Sequence, residues 1–92
     1  MLSPRAYDLI AEAYDQIGNY VLVKNDRTGT YRTEMVTKTG VTMTKDGVSI
    51  DLITQNGFLR KFNAYTKIFH SRKEAEETAM KLNQKGEENG GN

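Results

Sequence analysis

His70 is the only histidine of the chain, and Glu74 follows it four residues later. In a helix this spacing brings an imidazole and a carboxylate one turn apart, where both could bind a metal ion. Two ligands are too few for a catalytic zinc site, which takes three from the protein. The simpler interpretation, which we favour, is that His70 precedes the helix and packs near Ala75. We therefore predict no metal and no cofactor.

The other reactive side chains have structural explanations. Ser3 and Ser71 stand where helix-capping residues are expected, Asp46 belongs to a tight turn, and Asp51 falls on the solvent face of a predicted strand. The sequence has no nucleophile elbow, phosphate-binding loop or dinucleotide fingerprint. We therefore predict that the protein is not an enzyme.

A clearer chemical pattern is a set of cations on predicted strands and loops, with aromatic residues between them. Cationic side chains contact phosphates, and exposed rings stack on bases. The alternative is that the cations solubilise sheet edges and the rings belong to the core, and for Phe58 and Phe62 we favour the core. The candidate anion-binding residues are Lys24, Arg27, Arg32, Lys38, Lys45, Lys61 and Lys67, and the candidate stacking residues are Tyr20, Tyr31 and Tyr65.

Arg72 and Lys73 form a second candidate site, in the first turn of a predicted helix. With the free N–H groups of that turn they could bind a phosphate or an acidic side chain. The capping pattern from Ser71 to Glu74 competes for those N–H groups, and the acidic residues that follow would repel an anion.

Charge is unevenly distributed along the chain, although the net charge is only +1. Residues 18–73 carry ten Lys or Arg against four acidic residues, whereas residues 1–17 and 74–92 are both acidic. The sequence therefore predicts a basic sheet between acidic helices.

The sheet is predicted to centre on residues 41–64, which read as three antiparallel strands. Asp46-Gly47 is typical of a two-residue type I′ turn, which pairs Met43 with Ile50. For the second hairpin, a three-residue loop 55–57 with Gly57 in the left-handed region places Leu52 opposite Arg60 and keeps apolar residues on one face. This leaves Arg60 on the apolar face, near an edge where its head can reach water.

The flanking elements follow from local signals. Ser3-Pro4 begins a helix that Gly18 ends, and a buried strand covers residues 20–24. Another strand covers residues 30–38 before a turn at Thr39-Gly40, and a short extended segment follows Ala64. Ser71 begins the second helix, which is expected to end near Gln84.

These elements predict one α+β domain over residues 1–84 and a disordered tail over residues 85–92. The fold is an antiparallel five- or six-stranded meander sheet, with the N-terminal helix on one face and the C-terminal helix at its edge or beside the first. The predicted core is Leu9, Ile10, Ala13, Ile17, Val21, Val23, Met35, Val41, Met43, Ile50, Leu52, Phe62, Ala79 and Leu82.

The composition of the chain bears on the cellular location of the domain. The chain has no cysteine, no apolar run near the ~20 residues that span a bilayer, and no secretion-signal pattern at its start. These features favour the cytoplasm and no contact with a membrane. The segment 67–83 resembles a common ending of small bacterial and phage domains, a strand running into an acidic helix, which implies no activity.

Function is therefore expected to be binding. The first hypothesis is a non-enzymatic module whose basic sheet docks an anionic partner, either nucleic acid or an acidic protein surface. The alternative is a small inhibitor or adaptor, of phage or mobile-element type, that binds a host protein which handles nucleic acid. The acidic helices, or a threonine-rich strand edge that adds a partner's strand, would serve that alternative.

Overall fold

The computed structural model of the protein describes residues 2–90. Four strands form one antiparallel sheet in the order β1-β2-β3-β4, so the α+β class is confirmed, with four strands rather than five or six. The elements along the chain are α1 (Pro4–Tyr14), β1 (Tyr20–Lys24), β2 (Tyr31–Thr44), β3 (Gly47–Thr54), β4 (Leu59–Lys61) and α2 (Arg72–Gly90).

Helix α1 begins as its sequence predicts and ends earlier. The Ser3 side chain accepts a hydrogen bond from the Ala6 N–H at 3.2 Å, and Pro4 takes the first helical position. The helix ends at Tyr14, and turns lead to Gly18, which has a φ of 95°. The Gly18 N–H donates to the Val36 carbonyl at 2.8 Å, so this glycine starts the pairing of β1 with β2.

Strand β2 is the main departure from the prediction. The expected turn at Thr39-Gly40 is wrong, because one continuous strand runs from Tyr31 to Thr44. Its first part pairs with β1 and its second part with β3, and the register shifts between Val36 and Lys38. A bulge bends a strand without ending it, which explains why two predicted strands are one.

In the hairpin between β2 and β3, each side chain lies on its predicted face of the sheet, but the two strands pair in a different register. Met43 pairs with Val48 and Val41 with Ile50, so the predicted pairing of Met43 with Ile50 is wrong by two residues. The turn residues are Lys45 and Asp46, and only Gly47 has a positive φ, of 142°. A type I′ turn needs positive φ at both central residues, which explains the shift. A two-residue shift leaves every side chain on its predicted face.

The hairpin between β3 and β4 matches its prediction. Leu52 pairs with Arg60, the Phe62 N–H donates to the Ile50 carbonyl at 2.8 Å, and Gly57 has a φ of 82°. Gly57 tolerates this left-handed conformation because it has no Cβ atom.

The segment after β4 returns to the other edge of the sheet. Phe69 forms an isolated antiparallel bridge with Tyr20 on β1, which is what remains of the predicted sixth strand. Helix α2 then continues to Gly90 and so includes residues 85–90, which the sequence analysis assigned to a disordered tail. Gly91 and Asn92 lie outside the described residues.

The core occupies one face of the sheet, beneath α1. Its buried members are Ala13, Val21, Val23, Val36, Ile50, Leu52 and Phe62, with Leu9, Ile10, Val48, Phe58 and Ile68 packed against them. Ala13 also accepts a hydrogen bond from Thr39 Oγ1 at 3.2 Å, which fixes α1 on this face.

Seven predicted core residues are not fully buried, among them Leu9 and Ile10, which are half-buried against the core. Residues 41–46 are all exposed, so Val41 and Met43 lie where the hairpin extends past the covered part of the sheet. Ile17 follows the end of α1, Leu82 borders a cavity, and Met35 is only half-buried. The core residues that the prediction omitted are Val36, Phe69 and Ala75.

Helix α2 packs on β1 and β2 from the face opposite the core. Asn83 fixes it there, because its amide accepts from the Tyr31 N–H at 2.7 Å and donates to the Tyr31 carbonyl at 3.0 Å. Ala75 and Ala79, which belong to α2, are buried. The predicted placement of α2 at the edge of the sheet or beside α1 is not confirmed.

Candidate anion-binding site

A cavity of about 620 Å³ runs along β4 and the segment that follows it. We call this cavity the β4 groove. It contains three cations, an exposed tyrosine and an exposed leucine. Its lining residues are Phe58, Leu59, Arg60, Lys61, Asn63, Tyr65, Thr66 and Lys67.

Hydrogen bonds within the loop fix the far wall of the groove. The Asn63 side chain accepts from the Tyr65 N–H at 2.7 Å, and the Asn63 carbonyl accepts from the Thr66 N–H at 3.1 Å. Thr66 Oγ1 in turn donates to the Lys61 carbonyl at 3.1 Å. Asn63 therefore forms a local turn that brings Tyr65 and Lys67 alongside β4.

Arg60 connects the two edges of the curled sheet. Its guanidinium donates a hydrogen bond to the Leu22 carbonyl on β1 and lies 5.7 Å from the centroid of the Phe58 ring. The sequence analysis placed Arg60 on the apolar face near an edge but did not name it as a site residue. The position of its head depends on β1 approaching β4, which no local pattern indicates.

A second cavity, of about 260 Å³, adjoins the groove beneath α2. Arg60 and Lys67 line both cavities, so the two share cationic walls, and Lys67 also lines a further cavity with Glu12 and His70. The remaining walls are mostly apolar. The full lining is Leu22, Tyr31, Arg60, Lys67, Phe69, Thr78 and Leu82.

The charge of the two cavities has one sign. No acidic residue lines either cavity within the part of the chain that the structure describes. On the other side of Tyr65, a cavity against α1 contains Asp8 and Glu12 as well as Arg5. An anion would therefore be attracted to the β4 side of Tyr65 and repelled by the carboxylates on the α1 side.

Lys61 faces the open side of the sheet at the edge of the groove. Its ammonium donates a hydrogen bond to Ser49 Oγ, and Asp51 is its partner on β3. The neighbouring carboxylate offsets part of the Lys61 charge, whereas Lys67 lies 5.4 Å from the Phe69 ring centroid.

The other predicted cations do not join the groove. Arg27 and Lys45 lie in the two turns at the ends of β2, and Lys38 is exposed on β2 beyond the bulge. Arg32 is used within the protein, because its Nε lies 2.5 Å from Glu34 Oε2. The structure therefore brings together only Lys61 and Lys67 of the predicted set, with Arg60 added.

Rings that the sequence analysis named for stacking are mostly covered by cations of the same chain. Lys24 lies 5.9 Å from the Tyr31 centroid, and Arg72 lies 5.6 Å from the Tyr20 centroid. Tyr65 is different, because 95% of its surface is exposed at the rim of the groove.

Several groups of the predicted anion site at the start of α2 already have partners within the protein. Ser71 Oγ accepts from the Glu74 N–H at 3.0 Å, as the capping pattern predicts, and Arg72 is placed on Tyr20. Lys73 is exposed beside them.

Glu34 is a buried carboxylate on β2. It is 1% exposed and accepts hydrogen bonds from Thr54 on β3 and Arg32 on its own strand. Burial raises the pKa of the Glu34 carboxyl, but the hydrogen bonds from Thr54 and Arg32 outweigh it and hold that pKa below its ordinary value. None of the cavities described above includes Glu34 in its lining.

His70 is exposed, and the described residues contain no group of three side chains that could hold a metal ion. No helix within residues 2–90 is long and apolar enough to cross a membrane. Comparison with protein-family models, curated proteins and solved structures finds no match for this chain.

Proposed function

We propose that the protein is a non-enzymatic binding module that docks an anionic partner in the β4 groove. The observation that supports this is that Arg60, Lys61 and Lys67 all line the β4 groove, whose described lining includes no acidic residue. A region of one sign with apolar walls concentrates the potential and attracts anions. Nucleic acid and an acidic protein surface both present the required charge.

The chemistry of the groove supports binding rather than catalysis. Its polar groups are cations, an asparagine amide and hydroxyls, and Thr66 already donates to the Lys61 carbonyl. General acid–base catalysis would need a group that titrates near neutral pH, and the groove lining includes no histidine or carboxylate.

A salt titration tests this proposal. Binding of a fluorescent oligothymidylate and of fluorescent polyglutamate is measured by anisotropy from low to moderate salt. We expect at least one polyanion to bind, with affinity falling as salt rises, because each phosphate contact on a single strand contributes about 0.7 log units per log unit of salt. Absence of binding to both probes at low salt would contradict the proposal.

A matched pair of variants locates the binding. Lys61→Gln with Lys67→Gln removes two charges from the groove, and Arg27→Gln with Lys45→Gln removes two charges from the distant turns. For oligothymidylate we expect the groove variant to bind weakly and to lose about 1.4 from the salt slope, which corresponds to two phosphate contacts. The turn variant should bind nearly as the wild type does. Equal losses in both variants would show that net charge, not the groove, is recognised.

A further inference from the structure

The backbone of β4 has a free edge within the groove. The Phe62 N–H donates to the Ile50 carbonyl, and the Thr54 N–H donates to the Phe58 carbonyl. In an antiparallel pair only alternate residues bond to the neighbouring strand, so Leu59 and Lys61 direct their N–H and C=O groups away from β3. Within residues 2–90, no further strand pairs with that side of β4.

Three of these four backbone groups lack a partner among residues 2–90. The Lys61 carbonyl accepts from Thr66 Oγ1, but the Leu59 N–H, the Leu59 carbonyl and the Lys61 N–H find no hydrogen bond there. Leu59 is 60% exposed, so a peptide could approach this edge from solvent. An edge of this kind is the surface on which extended peptides add as a strand.

The charges around the edge restrict which strand could add. Short length and lysine usually protect an edge strand from pairing with another chain, and β4 has both features, so an added strand must compensate for the cations. A second copy of β4 would place Lys61 and Arg60 close to their own counterparts. A strand with glutamate or aspartate would instead place carboxylates near Arg60, Lys61 and Lys67.

The aromatic residues favour a peptide over a nucleic acid. Single-stranded nucleic acids are held by successive bases stacked on successive rings. The rings of Tyr20, Tyr31 and Phe58 each have a cation of the same chain within 6 Å of the centroid, which leaves Tyr65 as the exposed aromatic residue of the groove. Backbone pairing needs no ring.

We propose that the free edge of β4 pairs with an extended acidic segment of a partner protein, which adds to the sheet beside β4. This proposal rests on the proposed function and specifies its partner. The Leu59 backbone supplies the pairing groups, and Arg60, Lys61 and Lys67 select for acidic side chains.

A synthetic peptide that alternates glutamate with threonine or valine is the probe. Its control is the same peptide with alternate backbone amides N-methylated, which keeps the charge but removes the donors that pair with an edge. We expect the unmodified peptide to protect the Leu59 amide from hydrogen exchange and to bind at least about tenfold more tightly than the methylated one, roughly the effect of one hydrogen bond.

A variant of the protein provides an independent test. Leu59→Pro removes the outward N–H and leaves the pairing of β4 with β3 intact, since proline is tolerated on an edge when its missing N–H faces solvent. Leu59→Ala retains the N–H and controls for the lost side chain. We expect the proline variant to bind the peptide at least about tenfold more weakly than the alanine variant, and equal affinities would overturn the proposal. A thermal melt checks that both variants fold.

The outcomes separate this proposal from the function on which it rests. Equal binding of the unmodified and methylated peptides would overturn the strand-addition proposal. Binding of oligothymidylate without binding of the peptide would also overturn it. In both cases the proposal that the groove binds an anionic partner would still hold. Failure of all the probes at low salt would overturn both.

Discussion

Glu34 is the residue at which burial and charge conflict most strongly. A carboxylate with 1% of its surface exposed would be unstable without partners, and Thr54 and Arg32 supply them. Thr54 Oγ1 also accepts from the Phe58 N–H at 3.1 Å, so the network extends from β2 through β3 to the start of the β4 segment. The Glu34 network therefore supports the base of the groove.

Replacement of Glu34 by glutamine should destabilise the protein at pH 7. The amide keeps an acceptor for Thr54 but loses the ionic partner of Arg32, which should cost about 1–3 kcal/mol of unfolding free energy. The lowered pKa of Glu34 in the folded state means that this stability is present above the ordinary value of 4.5 and is lost as pH falls through the folded pKa.

Urea unfolding of wild type and Glu34→Gln at pH 7 and pH 3 checks this prediction. The difference in unfolding free energy should narrow at pH 3. Glu12→Gln, which changes an exposed carboxylate on α1, should have little effect at either pH. A difference for Glu34→Gln that is the same at both values would contradict the account of its pKa.

At the scale of elements, two glycines distinguish a strand from a turn. Gly40 lies within β2 without a positive φ, and a Cβ atom there would first meet Ile53 Cδ1 at 3.7 Å, an ordinary contact. Gly57 has a φ of 82° in the hairpin before β4. We expect Gly40→Ala to be neutral or stabilising by up to about 1 kcal/mol, and Gly57→Ala to cost about 1–2 kcal/mol.

Thermal melts of the two alanine variants test this contrast. The Gly57 variant should have the lower midpoint. A larger loss in the Gly40 variant would mean that residue 40 needs a turn conformation, which contradicts the continuous strand.

Asn83 hydrogen-bonds α2 to the backbone of β2. Asn83→Ala removes both hydrogen bonds to the Tyr31 backbone and leaves a partly buried N–H and C=O without partners, which should cost about 1–3 kcal/mol. Hydrogen exchange should become faster at the Tyr31 amide. The exposed neighbour Gln84, changed to alanine, is the control, and equal exchange at Tyr31 in both variants would contradict this role.

Elements marked by short-range chemistry were predictable from the sequence. Ser3-Pro4, Ser71 and the loop that ends at Gly57 act within a few residues, and the structure matches them. The bulge in β2 was not predictable, because it depends on one strand pairing with two neighbours at once. The candidate site was predictable only in part for the same reason. Lys61 and Lys67 are candidate anion-binding residues by type, but the position of Arg60 beside them depends on the contact between β1 and β4.

Over the whole molecule, charges of opposite sign lie on either side of Tyr65. The β4 groove contributes cations, and the cavity against α1 contributes Asp8 and Glu12. This separation explains how a protein with a net charge of +1 could attract an anion to one place. The cations at the turns, Arg27 and Lys45, would contribute mainly to long-range attraction, which salt screens.

If an anionic partner binds in the β4 groove, amide NMR shifts during a polyglutamate titration will report the contact. We expect the largest shifts at residues 58–67, with smaller ones at Leu22 and Tyr31 beside the adjoining cavity. Shifts concentrated at the turns around Arg27 and Lys45, with residues 58–67 unchanged, would contradict it.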